Sequence, residues 1–189
     1  MVKVVLCNGK PGVGKTLFQD KCCTLCESSD FHLNENRQTD IDSYSSVDFV
    51  KEIATECGWD GTKTPKNRKF LSDLKDLLVE WNDVPYQKIL ERIALLESFG
   101  FVKRDWILFV DCREPTEIRK LKERLNATAL LIRRESVEND ETSNHADAEV
   151  FYFDYDYIIL NNGSVSDLNV EARKFLEYMK ERPSYEKGE

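Results

Sequence analysis

The stretch Gly9-Lys10-Pro11-Gly12-Val13-Gly14-Lys15-Thr16 decides how this chain is read. It follows the apolar run Val2-Lys3-Val4-Val5-Leu6-Cys7 and precedes residues with helical character. Strand, glycine-rich loop and helix, in that order, are the setting in which G-x-x-x-x-G-K-[ST] binds phosphate. Glycines let successive backbone N–H groups turn inward with no Cβ in the way, forming an anion nest. The following helix adds its unpaired N–H groups and positive dipole end. Lys15 is expected to reach the β- and γ-phosphates, and the Thr16 hydroxyl to hold a magnesium ion. All of residues 9–16 are therefore candidate ligands of ATP, with Mg2+ as the accompanying cation.

Outward from this loop, strand-like and helix-like stretches alternate, which predicts an α/β fold with a mainly parallel sheet covered on both faces. Helix one is expected over 15–26, burying Leu17, Phe18, Cys22 and Leu25, and a short strand around 39–44. A helix over 47–57 is expected to be capped by Ser45 or Ser46. Gly58-Trp59-Asp60-Gly61 reads as a turn, and 63–68 as a basic, polar stretch. Phe70, Leu74, Leu77 and Trp81 recur at helical spacing, and Pro85 opens a helix whose stripe is Ile89, Ile93, Leu96 and Phe99, ending at Gly100. Residues 106–111 are the clearest buried strand, ending in a carboxylate. A helix from Pro115, strands over 128–132 and 157–160, and a helix over 167–180 complete the pattern. No repeat or linker divides the chain, so a single domain over 1–189 is expected.

Composition narrows the function classes. The chain has 189 residues, 33% of them charged, and a net charge of −8. A surface of that sign disfavours general nucleic-acid binding. No apolar stretch is long enough to span a bilayer, and neither a signal core nor a lipidation box is visible. A cytoplasmic setting is the expectation. The 6 cysteines, Cys7, Cys22, Cys23, Cys26, Cys57 and Cys112, are then expected as free thiols, mostly buried. Cys23 and Cys26 form one C-x-x-C pair without the second pair that a zinc site wants.

Four further positions carry candidate chemistry. Asp111 ends a hydrophobic strand, at the sheet edge where open α/β folds bind ligands, and is a candidate for ordering magnesium; the alternative is an N-cap for the helix at Pro115. Arg113, two residues on, is a candidate for phosphate, or else a surface partner of Glu114 or Glu117. Arg133 and Arg134 follow the strand over 128–132 and are candidates for bridging the transferred phosphoryl group.

With these residues in place the chain resembles the nucleoside monophosphate kinase superfamily, and more narrowly the phage-type deoxynucleoside monophosphate kinases, with animal-type phosphomevalonate kinases as a more distant likeness. Carrying the resemblance are residues 9–16; Ser45-Ser46-Val47-Asp48-Phe49-Val50-Lys51 leading to Gly58-Trp59-Asp60-Gly61; Arg68-Lys69-Phe70-Leu71-Ser72-Asp73-Leu74; Asp111-Cys112-Arg113-Glu114-Pro115-Thr116-Glu117; and 153–163, ending in Asn161-Asn162-Gly163. The resemblance implies a three-layer P-loop NTPase fold with a five-stranded parallel sheet in the order 2-3-1-4-5. It implies an acceptor-side helical region over about 40–100, where Lys63, Lys66 or Arg68 contacts the acceptor phosphate. It also implies that Asn162 and Gly163 border the base of ATP, and that 133–156 forms a lid. The lid departs from the family in being acidic. Arg133, Arg134 and His145 stand against Glu135, Glu138, Asp140, Glu141, Asp147, Glu149, Asp154 and Asp156. Three functions are therefore weighed: phosphoryl transfer from ATP to a nucleoside monophosphate, transfer to another small phosphorylated metabolite, and ATP binding by a regulatory module that transfers nothing.

Overall fold

A computed structural model of the protein describes residues 1–28, 31–99, 103–138 and 150–186. The first strand, β1 (Val2–Asn8), is buried along its whole length. It forms the centre of a five-stranded parallel sheet whose order is β2-β3-β1-β4-β5. The other strands are β2 (Gln38–Ser45), β3 (Arg104–Asp111), β4 (Thr128–Arg133) and β5 (Tyr157–Leu160). The expected sheet order is the one observed.

Alternation along β1 divides the core in two, because successive strand side chains point to opposite faces. Val5 and Cys7 face α1 (Lys15–Glu27) and the C-terminal helix, whose Phe18, Cys22, Ala172, Phe175 and Leu176 are buried with them. Val4 and Leu6 face Ile89, Ile93, Ile118 and Leu121 on the opposite side. Those residues come from α4 (Val84–Ser98) and α5 (Pro115–Leu125). The three-layer α/β arrangement follows from this division.

Helix ends show what the residue pattern missed. α2 (Asp48–Glu56) carries no side-chain cap from Ser45 or Ser46; instead the Asp48 carboxylate accepts from the Ser45 N–H at 3.0 Å. α3 (Pro65–Asn82) begins inside the basic, polar stretch 63–68. Thr64 caps it by accepting from the Asn67 N–H, and Pro65 occupies the first turn, where its missing N–H costs nothing. A four-residue helix, α6 (Glu135–Glu138), follows β4, and a 3-10 turn spans Val150–Tyr152. α7 (Val165–Lys180) starts on a Ser164–Asp167 capping box. At its other end the buried Lys3 ammonium donates to the carbonyls of Met179, Lys180 and Arg182 at 2.5–2.9 Å. Those carbonyls lie where a helix runs out of its own N–H donors.

Several expected core residues lie outside. Leu17 is exposed on α1 beside the glycine loop, and Phe99 is exposed at the end of α4. The α3 stripe faces water: Phe70, Leu77 and Trp81 are all exposed, Trp81 by 81%. α3 packs on α2 and α4 rather than on the sheet, so only part of its apolar surface has somewhere to go. The cysteines are free thiols; Cys7, Cys22, Cys26 and Cys112 are buried, Cys23 is half-buried and Cys57 is exposed. No helix among the described residues is long and apolar enough to cross a membrane. Gly100 and residues 139–149, which hold His145 and the lid carboxylates Asp140, Glu141, Asp147 and Glu149, lie outside the described residues.

Candidate functional site

The glycine loop leaves the carboxyl end of the central strand and closes on itself. Gly9, Gly12 and Gly14 have φ of 146°, 84° and 96°. A Cβ on Gly9 would stand 2.4 Å from the Ile132 carbonyl oxygen, and one on Gly14 would stand 2.5 Å from Asn161 Nδ2. At both positions conformation and space exclude a side chain. Pro11, Gly12 and Thr16 are exposed and Val13 is buried, so the loop is pinned at its middle and open along its rim. Lys15 Nζ folds back over the loop, donating to the Gly9 carbonyl at 2.7 Å and the Lys10 carbonyl at 3.3 Å. Thr16 sits in the first turn of α1, which has no side-chain cap, so its leading N–H groups face the same opening.

Two asparagines hold the loop; Asn8 was not singled out in the residue pattern, and Asn161 only as part of Asn161-Asn162-Gly163. Asn8 is fully buried at the end of β1. Its Oδ1 accepts from the Gly9 N–H at 2.7 Å, while its Nδ2 donates to the Arg113 carbonyl at 3.1 Å and the Tyr155 hydroxyl at 2.7 Å. Asn161, also buried, donates from Nδ2 to the Val13 carbonyl at 2.8 Å. The strand-end position of each, next to glycine-bearing turns, was the available signal. Asn162, the residue named for the base of ATP, instead accepts from the Glu135 N–H at 2.9 Å through Oδ1. Gly163 lies against the Asp167 cap of α7, where a Cβ would meet Oδ2 at 2.6 Å.

Asp111 ends β3 directly beside Cys7 of β1. It does not cap α5, whose N-cap residue is Glu114. Its Oδ1 accepts from Gln19 Nε2 at 3.0 Å, and Gln19 is buried although polar. Gln19 stands one helical turn after Lys15, on the same face of α1, and that spacing is how it could have been found. Burial raises the Asp111 carboxyl above its ordinary value; the Gln19 hydrogen bond and the Lys15 ammonium oppose that shift. Burial likewise drives the Cys7 thiol far up, so it stays protonated beside Asp111.

The remaining candidates are distributed unequally. Arg113 is exposed in the β3–α5 turn, and its backbone carbonyl accepts from Asn8. Glu114 and Glu117 engage Lys75 of α3, at 3.6 and 2.9 Å. Arg133 is half-buried, with its guanidinium 4.9 Å from the centre of the Phe151 ring, whereas Arg134 is exposed. Lys10 Nζ lies 5.9 Å from the same ring centre. Lys63, Lys66 and Arg68 are exposed around the first turn of α3. Among the described residues none of these three is joined to the glycine loop by a side-chain hydrogen bond or an ion pair. A groove of about 870 Å³ lies between α3, α4 and Tyr185, with Tyr86, Leu90 and Ile93 on its floor, and none of residues 9–16 lines it.

The carboxyl edge of the sheet thus gathers a glycine loop, a lysine, a helix start and a half-buried carboxylate, the position at which open α/β folds take their ligands. A crystal structure of a sugar kinase from Janibacter sp. HTCC2649, without ligand, is similar over 94% of this chain and 95% of that one, at 15% identity and a TM-score of 0.44. No protein-family model matches the chain, and neither does any curated protein.

Proposed function

We propose that this protein is an ATP- and magnesium-dependent phosphotransferase that moves the γ-phosphate to a small phosphorylated acceptor, a nucleoside or deoxynucleoside monophosphate. The observation that carries the reading is the glycine loop folded around Lys15, with Asp111 on the neighbouring strand tip. The residues suit the ligands. Inward-turned N–H groups and Lys15 match the charge and size of a triphosphate. Thr16 and Asp111 offer two oxygen ligands, which suits a cation that takes its others from phosphate and water.

Catalysis then rests on positioning and charge stabilisation, with no covalent enzyme intermediate. Lys15 leaves the Gly9 and Lys10 carbonyls for the phosphates. Magnesium, when bound, neutralises charge on the phosphate oxygens. Gln19 fixes the carboxylate that orders it. Arg113 and Arg133 face the phosphoryl group and acceptor, with Arg134 the lesser of the two lid arginines because it is exposed. The acceptor lies on the α2–α3 side, within reach of Lys63 or Arg68. The resemblance supports the nucleotide acceptor; the loop geometry supports ATP.

ATP consumption measured against a panel of nucleoside monophosphates tests the reading. The expected result is turnover that depends on one or a few of them and is abolished in Lys15→Ala, with thermal unfolding unchanged. Turnover with another phosphorylated metabolite alone would move the protein to a sister kinase. ATP binding with no acceptor-dependent turnover would make it a nucleotide-binding regulatory module.

A further inference from the structure

The segment just before β5 brings an aromatic ring to the phosphate loop, and that ring has no role in the reading above. Val150 is fully buried, and its carbonyl accepts from the Tyr155 hydroxyl at 2.8 Å. The same hydroxyl accepts from Asn8 Nδ2, the side chain that holds Gly9. Asp156 is tied to Ala129 of β4 by two hydrogen bonds, N–H to carbonyl at 2.9 Å and carboxylate to N–H at 2.8 Å. Phe153 packs edge-on to Tyr155 at 5.0 Å. Residues 150–156 are therefore a fixed platform. Between its two anchors, Phe151 projects with 41% of its surface exposed. Both Lys10, in the glycine loop, and Arg133, at the end of β4, direct their charges at its ring.

We propose that Phe151 is a positioning residue, whose ring gathers the Lys10 and Arg133 cations beside the glycine loop ahead of nucleotide binding; the proposal rests on the ATP-binding reading. Two like charges brought to one place repel each other, and ordering long side chains costs entropy. The negative face of an aromatic ring offsets both tendencies at once. Its attraction is weaker than that of a phosphate, so the cations are held near the loop yet released to an arriving triphosphate. Ordering the cations before binding removes a cost that binding would otherwise bear. The Asn8–Tyr155–Val150 chain sets the ring's place relative to Gly9, so loop and ring keep register. Burial raises the Tyr155 phenol to about 12, so its hydroxyl keeps the proton it donates to Val150.

The test compares wild type, Phe151→Leu and Phe151→Trp. The first readout is the proton NMR shifts of the Lys10 and Arg133 side chains in nucleotide-free protein. Upfield ring-current shifts are expected in wild type and the Trp variant, and not in the Leu variant. The second is ATP affinity by calorimetry: Leu is expected to weaken binding about three- to ten-fold, and Trp to restore it. Thermal unfolding of the Leu variant should stay close to wild type, since the side chain is partly exposed. Absence of the shifts in wild type overturns the proposal whether or not ATP binds. Shifts present with unchanged affinity in the Leu variant overturn the positioning role. Shifts present in a wild-type protein that binds no ATP overturn the phosphotransferase reading, and the positioning role with it, while leaving the ring geometry established.

Discussion

Burial raises the carboxyl of Asp111 above its ordinary value of 3.8, and the nearby Asp48 pushes in the same direction, while Gln19 and Lys15 pull against them. A carboxyl raised on folding adds stability that is fully present below the unfolded value and is lost as pH rises through the folded one. Near neutral pH the ionised side chain therefore weighs against the fold. Asp111→Asn keeps an oxygen to accept from Gln19 and carries no charge. It is expected to unfold at a higher temperature than wild type at pH 7, with the advantage shrinking as pH falls through the raised value of the folded carboxyl and gone only below 3.8, where the unfolded carboxyl is protonated too. Scanning the melting temperature of both proteins across this range checks the sign. A variant less stable than wild type at pH 7 would show that the charge supports the fold. Asp111 was legible from its place at the end of an apolar run. Gln19 was not, because a glutamine in a helix reads as surface until a half-buried carboxylate is known to face it.

At the scale of elements, the junction of β1 with α7 shows a charge used for structure. Lys3 sits in an otherwise apolar strand, a position where a cation is costly unless its protons find acceptors. It finds three carbonyls at the end of α7, 176 to 179 residues further along the chain. The helix end gains donors it lacks and the cation meets the negative end of the helix dipole. Lys3→Met, close in shape, removes the ammonium donor from the Lys180 and Arg182 carbonyls and leaves the Met179 carbonyl with only the Arg182 N–H. It is expected to lower the unfolding free energy by about 2–3 kcal/mol, seen as a lower urea midpoint with unchanged slope. A midpoint equal to wild type would show that water replaces the ammonium. Nothing in the local sequence predicts this contact, because its partners are brought together only when the last helix docks.

At the scale of the whole molecule, the sheet decides which apolar stripes become core. α4 and α5 lie on it and bury theirs; α3 has the same periodicity but lies at the margin and leaves Phe70, Leu77 and Trp81 in water. Leu77→Gln and Trp81→Gln are accordingly expected to change stability by no more than about 0.5 kcal/mol. Chemical denaturation measures this, and a loss several times larger would place the stripe in a buried interface. The parallel sheet covered on both faces and the glycine loop were legible in the residues, because strand alternation, helix periodicity and the need for glycine at positive φ are local demands; the strand order came only with the family resemblance. The positions of Lys15 and Thr16 at the start of α1 and of Asp111 at the end of β3 were legible for the same reason: each is placed by the element that carries it. Tertiary structure alone decided that Asn8 and Asn161 clamp the loop, that Gln19 holds Asp111, that Glu114 and Glu117 turn to Lys75, and that Phe151 meets Lys10 and Arg133. Each of these joins residues from separate elements, and their separation along the chain carries no periodicity from which the contact could be read.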